Sequence, residues 1–241
     1  MVGTGVEFAN VSYAPVSQRL ILRDVSLKLE PGTTTALLGR SGSGKTTLMR
    51  MVNGMVMPTS GATIMAGKPT SEWDLLALRR RVGYVIQESG LFPHWTVGRN
   101  AGLALEISGK EANLRIDETL HLAGLDAALK DRYPWQLSGG QRQRVGLARA
   151  LAADPEILLM DEPFGALDPM TRAEMQDMLL GLMKQVRKTV LLVTHDLDEA
   201  LYLAARVIFL EDGAVVADLP SSDVLTSTNE HVRRYVAAVH R

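Results

Sequence analysis

The residues Gly39, Arg40, Ser41, Gly42, Ser43, Gly44, Lys45 and Thr46 follow a short apolar run and open a helix-like stretch. Their spacing is G-x-x-x-x-G-K-[ST], and its chemistry is polyphosphate binding. Glycines let the backbone wrap an anion so that successive N–H groups point inward. The Lys45 ammonium then reaches the β- and γ-phosphates, and the Thr46 hydroxyl faces Mg2+. Thr47 is placed to touch the α-phosphate. Farther along, "ILLMDEP" ends a strand-sized apolar run in Asp161 and Glu162. Ligands of parallel α/β folds gather at such strand ends. Asp161 is suited to hold Mg2+, directly or through water. Glu162 is suited to orient or deprotonate an attacking water, which makes the two a hydrolase pair.

Three single residues extend the pattern. Gln87 closes the run "RVGYVIQ". It is either an ordinary strand-end glutamine or an amide that touches both metal and water. His195 closes "TVLLVTH" in the same way, as a structural histidine or as a γ-phosphate contact. Tyr13 lies in an N-terminal strand, where its ring either packs in the sheet or stacks on adenine. A second anion-facing helix start comes at "QLSGGQRQRVGLARAL", with Ser138, Gly139, Gly140 and Gln141 at the beginning of the helix. One domain needs a reason to carry two of them.

The elements that must position these groups are legible from periodicity. "VEFANVSY" and "LILRDVSLKLE" alternate as strands of a half-exposed antiparallel sheet. "TTTALLG", "RVGYVIQ", "PEILLMDEP" and "TVLLVTH" read as buried strands, and helical stretches alternate with them. Together they predict a parallel sheet covered on both faces. From about Leu91 to Leu137, "VGRNAGLALEIS", "ANLRIDETLHLAGL" and "AALKDRY" predict a helical insertion. Met175, Met178, Leu179, Leu182, Met183 and Val186 recur at helical spacing and read as a core-packing stripe. "RVIFLEDGAVVADL" predicts a hairpin around Asp212-Gly213. The last twenty residues read as helical and peripheral.

The 241 residues suffice for a substantial core, and 46% are hydrophobic, which argues against a disordered chain. No apolar run approaches the ~18 residues of a membrane span, and no signal-peptide pattern precedes "VEFANVSY". With no cysteine, disulfides and thiolate metal sites are excluded, and a cytosolic protein is expected. The net charge is −1, and Arg79, Arg80 and Arg81 form the one tight basic cluster, read as a solvated helix end rather than a nucleic-acid patch.

Tyr13, "GRSGSGKT", Gln87, "LSGGQ", "ILLMDEP" followed by "ALD", and His195 stand in one order. In this the chain resembles the nucleotide-binding ATPase subunit of ABC transporters over nearly all of its length. "LSGGQ" is the most specific point of likeness, because ordinary P-loop proteins lack it. The resemblance implies an α/β P-loop NTPase fold: a RecA-like core (about 1–90 and 151–241), an N-terminal antiparallel β-subdomain, and a helical subdomain (about 91–150) carrying the signature. It implies Mg2+-dependent ATP hydrolysis in a head-to-tail homodimer. Lys45 then binds phosphate, Asp161 serves Mg2+, Glu162 is the catalytic carboxylate, His195 is the switch histidine, and Asp168 of "ALD" lies at the dimer interface. Ser138, Gly139, Gly140 and Gln141 face the γ-phosphate of the partner's ATP, which supplies the reason for two anion-facing helix starts.

"GYVIQESGLFPHWTVGRN", "DRYPWQLSGGQ" and "VLLVTHDLDEALYLA" are most similar to importer ATPases of the quaternary-amine group, which takes up glycine betaine, choline or carnitine. Importers of amino acids, sulfonates or nitrate share much of this pattern and are the alternative, with a soluble non-transport ABC ATPase behind them. An importer subunit implies a peripheral place on the cytoplasmic face of the membrane. It also implies permease subunits docking near Glu88–Trp95, and an extracytoplasmic solute-binding protein. Nucleic acid is not an expected partner. Arg40 stands where proline is common, and Ala205 where aspartate is often seen before "RV". A separate C-terminal regulatory module is not expected.

Overall fold

The computed structural model describes residues 4–15, 19–108 and 113–239. Along the chain come β1 (Val6–Tyr13), β2 (Leu22–Leu29), β3 (Thr34–Leu38), α1 (Lys45–Val52), β4 (Ser60–Met65), β5 (Lys68–Pro69), α2 (Leu75–Arg80), β6 (Val82–Val85), α3 (Val97–Ser108), α4 (Asn113–Leu122), α5 (Gly139–Ala152), β7 (Ile157–Asp161), α6 (Pro169–Val186), β8 (Thr189–Thr194), α7 (Leu197–Leu203), β9 (Arg206–Glu211), β10 (Ala214–Pro220) and α8 (Glu230–Val239). The fold is α/β, with an antiparallel N-terminal sheet and mixed, largely parallel core strands. The chain divides into two compact units, Met1–Arg79 with Lys188–Arg241, and Arg80–Arg187.

In the first unit the antiparallel sheet runs β2-β1-β4-β5. β2 buries Leu22, Val25, Leu27 and Leu29 and exposes the residues between them. The alternation slips once, because the register shifts between the Val11–Val25 and Tyr13–Leu22 pairs. Asp24 takes a positive φ of 48° there, its N–H donating to Ser12 Oγ at 2.9 Å. Such a bulge re-aims one strand end, here the end holding Tyr13. The other strands of this unit run β10-β9-β3-β8, with β3 parallel to both β8 and β9. β3 is buried from Thr35 to Leu38, as a strand covered on both faces must be. Leu38, Leu197, Val207, Phe209 and Val232 share one cluster beneath α7 and α8. Each such side chain contributes about 1.5–3 kcal/mol by leaving water.

In the second unit β6 and β7 are parallel, Val82 to Val85 opposite Ile157 to Met160. α5 buries Val145, Leu147, Ala148 and Leu151 and packs on β6, α3 and α4. α6 buries Met175, Leu179 and Leu182, while Met178, Met183 and Val186 are half-buried, so the methionine stripe is packing.

Two expectations change. "AALKDRY" forms only a 3-10 turn, Ala127–Leu129, started by the Asp126 side chain accepting from Ala128 N–H at 2.8 Å. The start of "ANLRIDETLHLAGL", at Ala112, lies outside the described residues. The arginine cluster is not simply solvated. Arg79 donates to the Asn53 and Gly54 carbonyls, both at 3.3 Å, and Arg81 grips Glu156 with two bonds of 2.5 and 2.6 Å. Among the described residues no helix is long and apolar enough to cross a membrane.

Candidate functional site

In the first unit, β3 delivers the chain into the glycine loop and α1 leaves it. Gly44, at the N-cap of α1, has φ 102°. A Cβ there would lie 2.7 Å from Leu22 Cδ2 and 3.2 Å from the Ile21 carbonyl oxygen. Only glycine fits both the conformation and the space. Leu22 is also the strand partner of Tyr13, so the same segment backs the loop and aligns the tyrosine, which is half-buried. Lys45 is buried, its Nζ donating to the Gly39 carbonyl at 2.7 Å and the Arg40 carbonyl at 3.0 Å. The loop is thus held around its own ammonium. Ser43 Oγ is buried without a hydrogen-bond partner, a cost a phosphate oxygen would remove. Arg40, Ser41 and Gly42 line the outer side of the loop and are all exposed, and Thr46 and Thr47 are half-buried in the first turn of α1.

His195 belongs to the same unit. It follows β8 directly and is exposed, while the residues flanking it are fixed. Thr194 Oγ1 donates to the buried Glu199 carboxylate at 2.6 Å and accepts from Asp196 N–H at 3.0 Å. Asp196 in turn caps α7 by accepting from Glu199 N–H at 3.1 Å.

The second unit holds the carboxylates. Asp161 is the last residue of β7, and Tyr84 on neighbouring β6 donates its hydroxyl to Asp161 Oδ2 at 3.1 Å. Glu162 follows with φ 46°, a left-handed conformation that a non-glycine residue adopts at a cost of about 1–3 kcal/mol. Gln87 lies two residues past β6, and its Nε2 donates to Glu162 Oε2 at 3.3 Å. Two residues 75 positions apart are therefore brought together by the parallel pairing of β6 and β7.

Ser138 and Asp168 are helix caps in the same unit. Ser138 Oγ accepts from Gln141 N–H at 3.2 Å, and Gln141 Oε1 accepts from Ser138 N–H at 2.9 Å, a complete capping box on α5. Gly139 is exposed and Gly140 buried, where a Cβ would come within 2.5 Å of Thr171 Cγ2. Asp168 caps α6 by accepting from Thr171 N–H at 3.1 Å, and its hydrogen bonds to Thr171 hold its carboxyl below the usual carboxylate range. Ser138, Gly140, Gln141, Arg144, Thr171 and Glu174 line one cleft.

A family model described as ABC transporter matches residues 22–165. The glycine betaine uptake system ATP-binding protein YehX of Escherichia coli (strain K12) is 45% identical over 234 residues, 95% of this chain and 76% of that protein. The choline transport ATP-binding protein OpuBA of Bacillus subtilis (strain 168) is 41% identical over 94% of this chain and 61% of its own length. The chain belongs to the ABC transporter ATP-binding family. The dimeric post-hydrolysis structure of the ATP-binding cassette MJ0796, bound to ADP and phosphate, matches it with a TM-score of 0.79 at 34% identity, covering 90% of this chain and 98% of that one. This chain spans about three fifths of several of its curated relatives.

Two residues of this ABC subunit escaped the sequence reading. Tyr84 is one, since nothing local marks a strand tyrosine as a partner of an aspartate 77 residues away. Arg149 is the other. From α5 it donates to the Ser89 carbonyl at 2.6 Å and the Gly90 carbonyl at 2.7 Å, and Gln143, on the same helix, donates to the Ile86 carbonyl at 3.3 Å. The signature helix thus holds both sides of the Gln87 turn. Burial pushes the Arg149 guanidinium below its ordinary value, yet it stays charged and its two bonds are charge-assisted. Arg149→Met is expected to destabilise the protein by about 3 kcal/mol, read as a lowered urea midpoint. A midpoint equal to wild type would remove the clamp.

Proposed function

We propose that this chain is the ATP-hydrolysing subunit of an importer for a quaternary-amine osmoprotectant such as glycine betaine, choline or carnitine. The solute class is carried by the 45% identity, across 95% of the chain, to a glycine betaine uptake ATP-binding protein. The hydrolytic role is supported by the glycine loop around Lys45 and by the Gln87–Glu162 pair.

In this reading Lys45 turns from the Gly39 and Arg40 carbonyls to the β- and γ-phosphates, and Gly39 through Thr47 supply the surrounding donors. Tyr13 stacks on adenine. Glu162 takes a proton from a water whose oxygen bonds to the γ-phosphorus. The bond from that phosphorus to the bridging oxygen breaks, and ADP and phosphate leave. Gln87 orients the carboxylate, and the His195 imidazole hydrogen-bonds the γ-phosphate. The Thr46 hydroxyl, the Gln87 amide oxygen and the Asp161 carboxylate are hard oxygen donors of the kind Mg2+ selects, and these three would hold it. Bound there, Mg2+ would offset the phosphate charge. Ser138, Gly139, Gly140 and Gln141 face ATP held by a second copy in a head-to-tail dimer, with Asp168 at the interface. Closure of the two copies on ATP drives the permease, and hydrolysis resets it.

Glu88–Trp95 is the proposed permease contact, at the cytoplasmic face of the membrane. Phe92 is exposed there and its ring centre lies 4.3 Å from that of Trp95, on which Arg99 stacks at 4.1 Å. Leu91 is half-buried. The test is transport in vesicles that contain this subunit, its permease and its binding protein. Labelled glycine betaine should accumulate only with ATP, and choline or carnitine should compete. Uptake of a sulfonate, nitrate or an amino acid with no response to quaternary amines would reject the solute class.

A further inference from the structure

Helix α8 sits at the end of the described chain, and none of the motif residues lies on it. Yet one of its side chains reaches the turn between β8 and α7. The Tyr235 hydroxyl donates to the backbone carbonyl of His195 at 2.7 Å. Its ring meets Phe209 of β9 edge-on, with centres 5.6 Å apart and planes at 77°. The helix is seated firmly enough for that bond to matter. Val232 is fully buried, Val236 packs against the same cluster, and Glu211 at the end of β9 accepts from His231 Nδ1 at 2.6 Å and from Arg234 at 2.5 Å.

Thr194, His195 and Asp196 are therefore held by three different means. Buried Thr194 ties the strand end to Glu199, Asp196 is locked as the cap of α7, and the carbonyl of His195 itself is held by Tyr235. The imidazole stays exposed while its backbone is fixed. We infer that Tyr235 is a positioning residue for hydrolysis: it sets the peptide plane that follows His195 and so the direction in which the imidazole is presented. This rests on the γ-phosphate role proposed for His195.

Tyr235→Phe removes one hydroxyl and leaves the ring on Phe209. In the full-length chain its kcat for ATP should fall about fivefold, the scale of one hydrogen bond, with KM for ATP unchanged. In a His195→Ala background the same change should cost nothing further, because there is no imidazole left to aim. Val236→Ala loosens the same helix without touching the His195 carbonyl and should leave kcat as in wild type. A Tyr235→Phe kcat within twofold of wild type, beside an impaired His195→Ala, overturns the positioning role and leaves the His195 reading standing. So does a loss that is additive with His195→Ala, or a Val236→Ala loss as large as that of Tyr235→Phe. Wild-type hydrolysis by His195→Ala would instead reject the proposed role of His195 itself.

Discussion

Glu162→Gln should lower ATP turnover at least about a hundredfold while ATP affinity stays within about threefold of wild type. The two side chains have the same shape, and the amide oxygen of the substituted side chain still accepts the 3.3 Å bond that Gln87 now gives to the carboxylate. The Glu162 carbonyl accepts from Gly165 N–H at 3.2 Å, and the left-handed φ at residue 162 belongs to the backbone, not to the charge. What is lost is the carboxylate proposed to take a proton from the attacking water. The glycine loop proposed to grip the nucleotide belongs to the other unit. Turnover measured beside nucleotide affinity separates the two functions, and a variant with near-wild-type turnover would strip Glu162 of its role.

Ser138→Asp should lower hydrolysis about a hundredfold while the fold stays intact, and its value lies in that contrast. The structure gives Ser138 an internal task as the cap of α5, with Gln141 N–H as its donor. Aspartate caps a helix as well as serine does, so stability should stay within about 0.5 kcal/mol. Alanine, by comparison, forfeits about 1 kcal/mol of cap. In the proposed dimer the same hydroxyl faces the γ-phosphate of the partner's ATP, and a carboxylate there repels it. A fall of about a hundredfold in ATPase rate is expected, with single-chain nucleotide binding unchanged. If Ser138→Asp hydrolyses normally, the signature serine is a cap and nothing more.

The parts of this site that were legible in the sequence are those that local rules specify. The glycine loop needs a strand before it and a helix after it, and β3 and α1 supply them. Asp161, Glu162 and His195 stand at strand ends because buried strands end where polar residues begin. The hairpin around Asp212-Gly213 follows from turn chemistry, with positive φ at both residues. What was not legible joins distant positions. Arg149 reaches back 60 residues to Ser89, Tyr84 reaches forward 77 to Asp161, and Tyr235 reaches back 40 to His195. No periodicity encodes such pairs, and only the packing of α5 on β6, of β6 beside β7, or of α8 on β10 creates them. The left-handed backbone of Glu162 was equally hidden, since glutamate is not a residue whose type announces it. "AALKDRY" misled for the opposite reason. Its composition favours a helix, but Gly124 with φ 68° ends α4, Asp126 starts a new turn, and Pro134 soon follows.

In the proposed dimer each chain is half of a two-ATP clamp, one loop gripping a nucleotide and the signature of a second copy closing on it. Sedimentation of Glu162→Gln with and without ATP, with bound nucleotide counted in each species, tests it most directly. The clamp predicts a monomer without ATP and, with ATP, a dimer holding two nucleotides, which Ser138→Asp in the same background prevents. A Glu162→Gln chain that binds ATP and stays monomeric, or a dimer indifferent both to ATP and to Ser138→Asp, would contradict it.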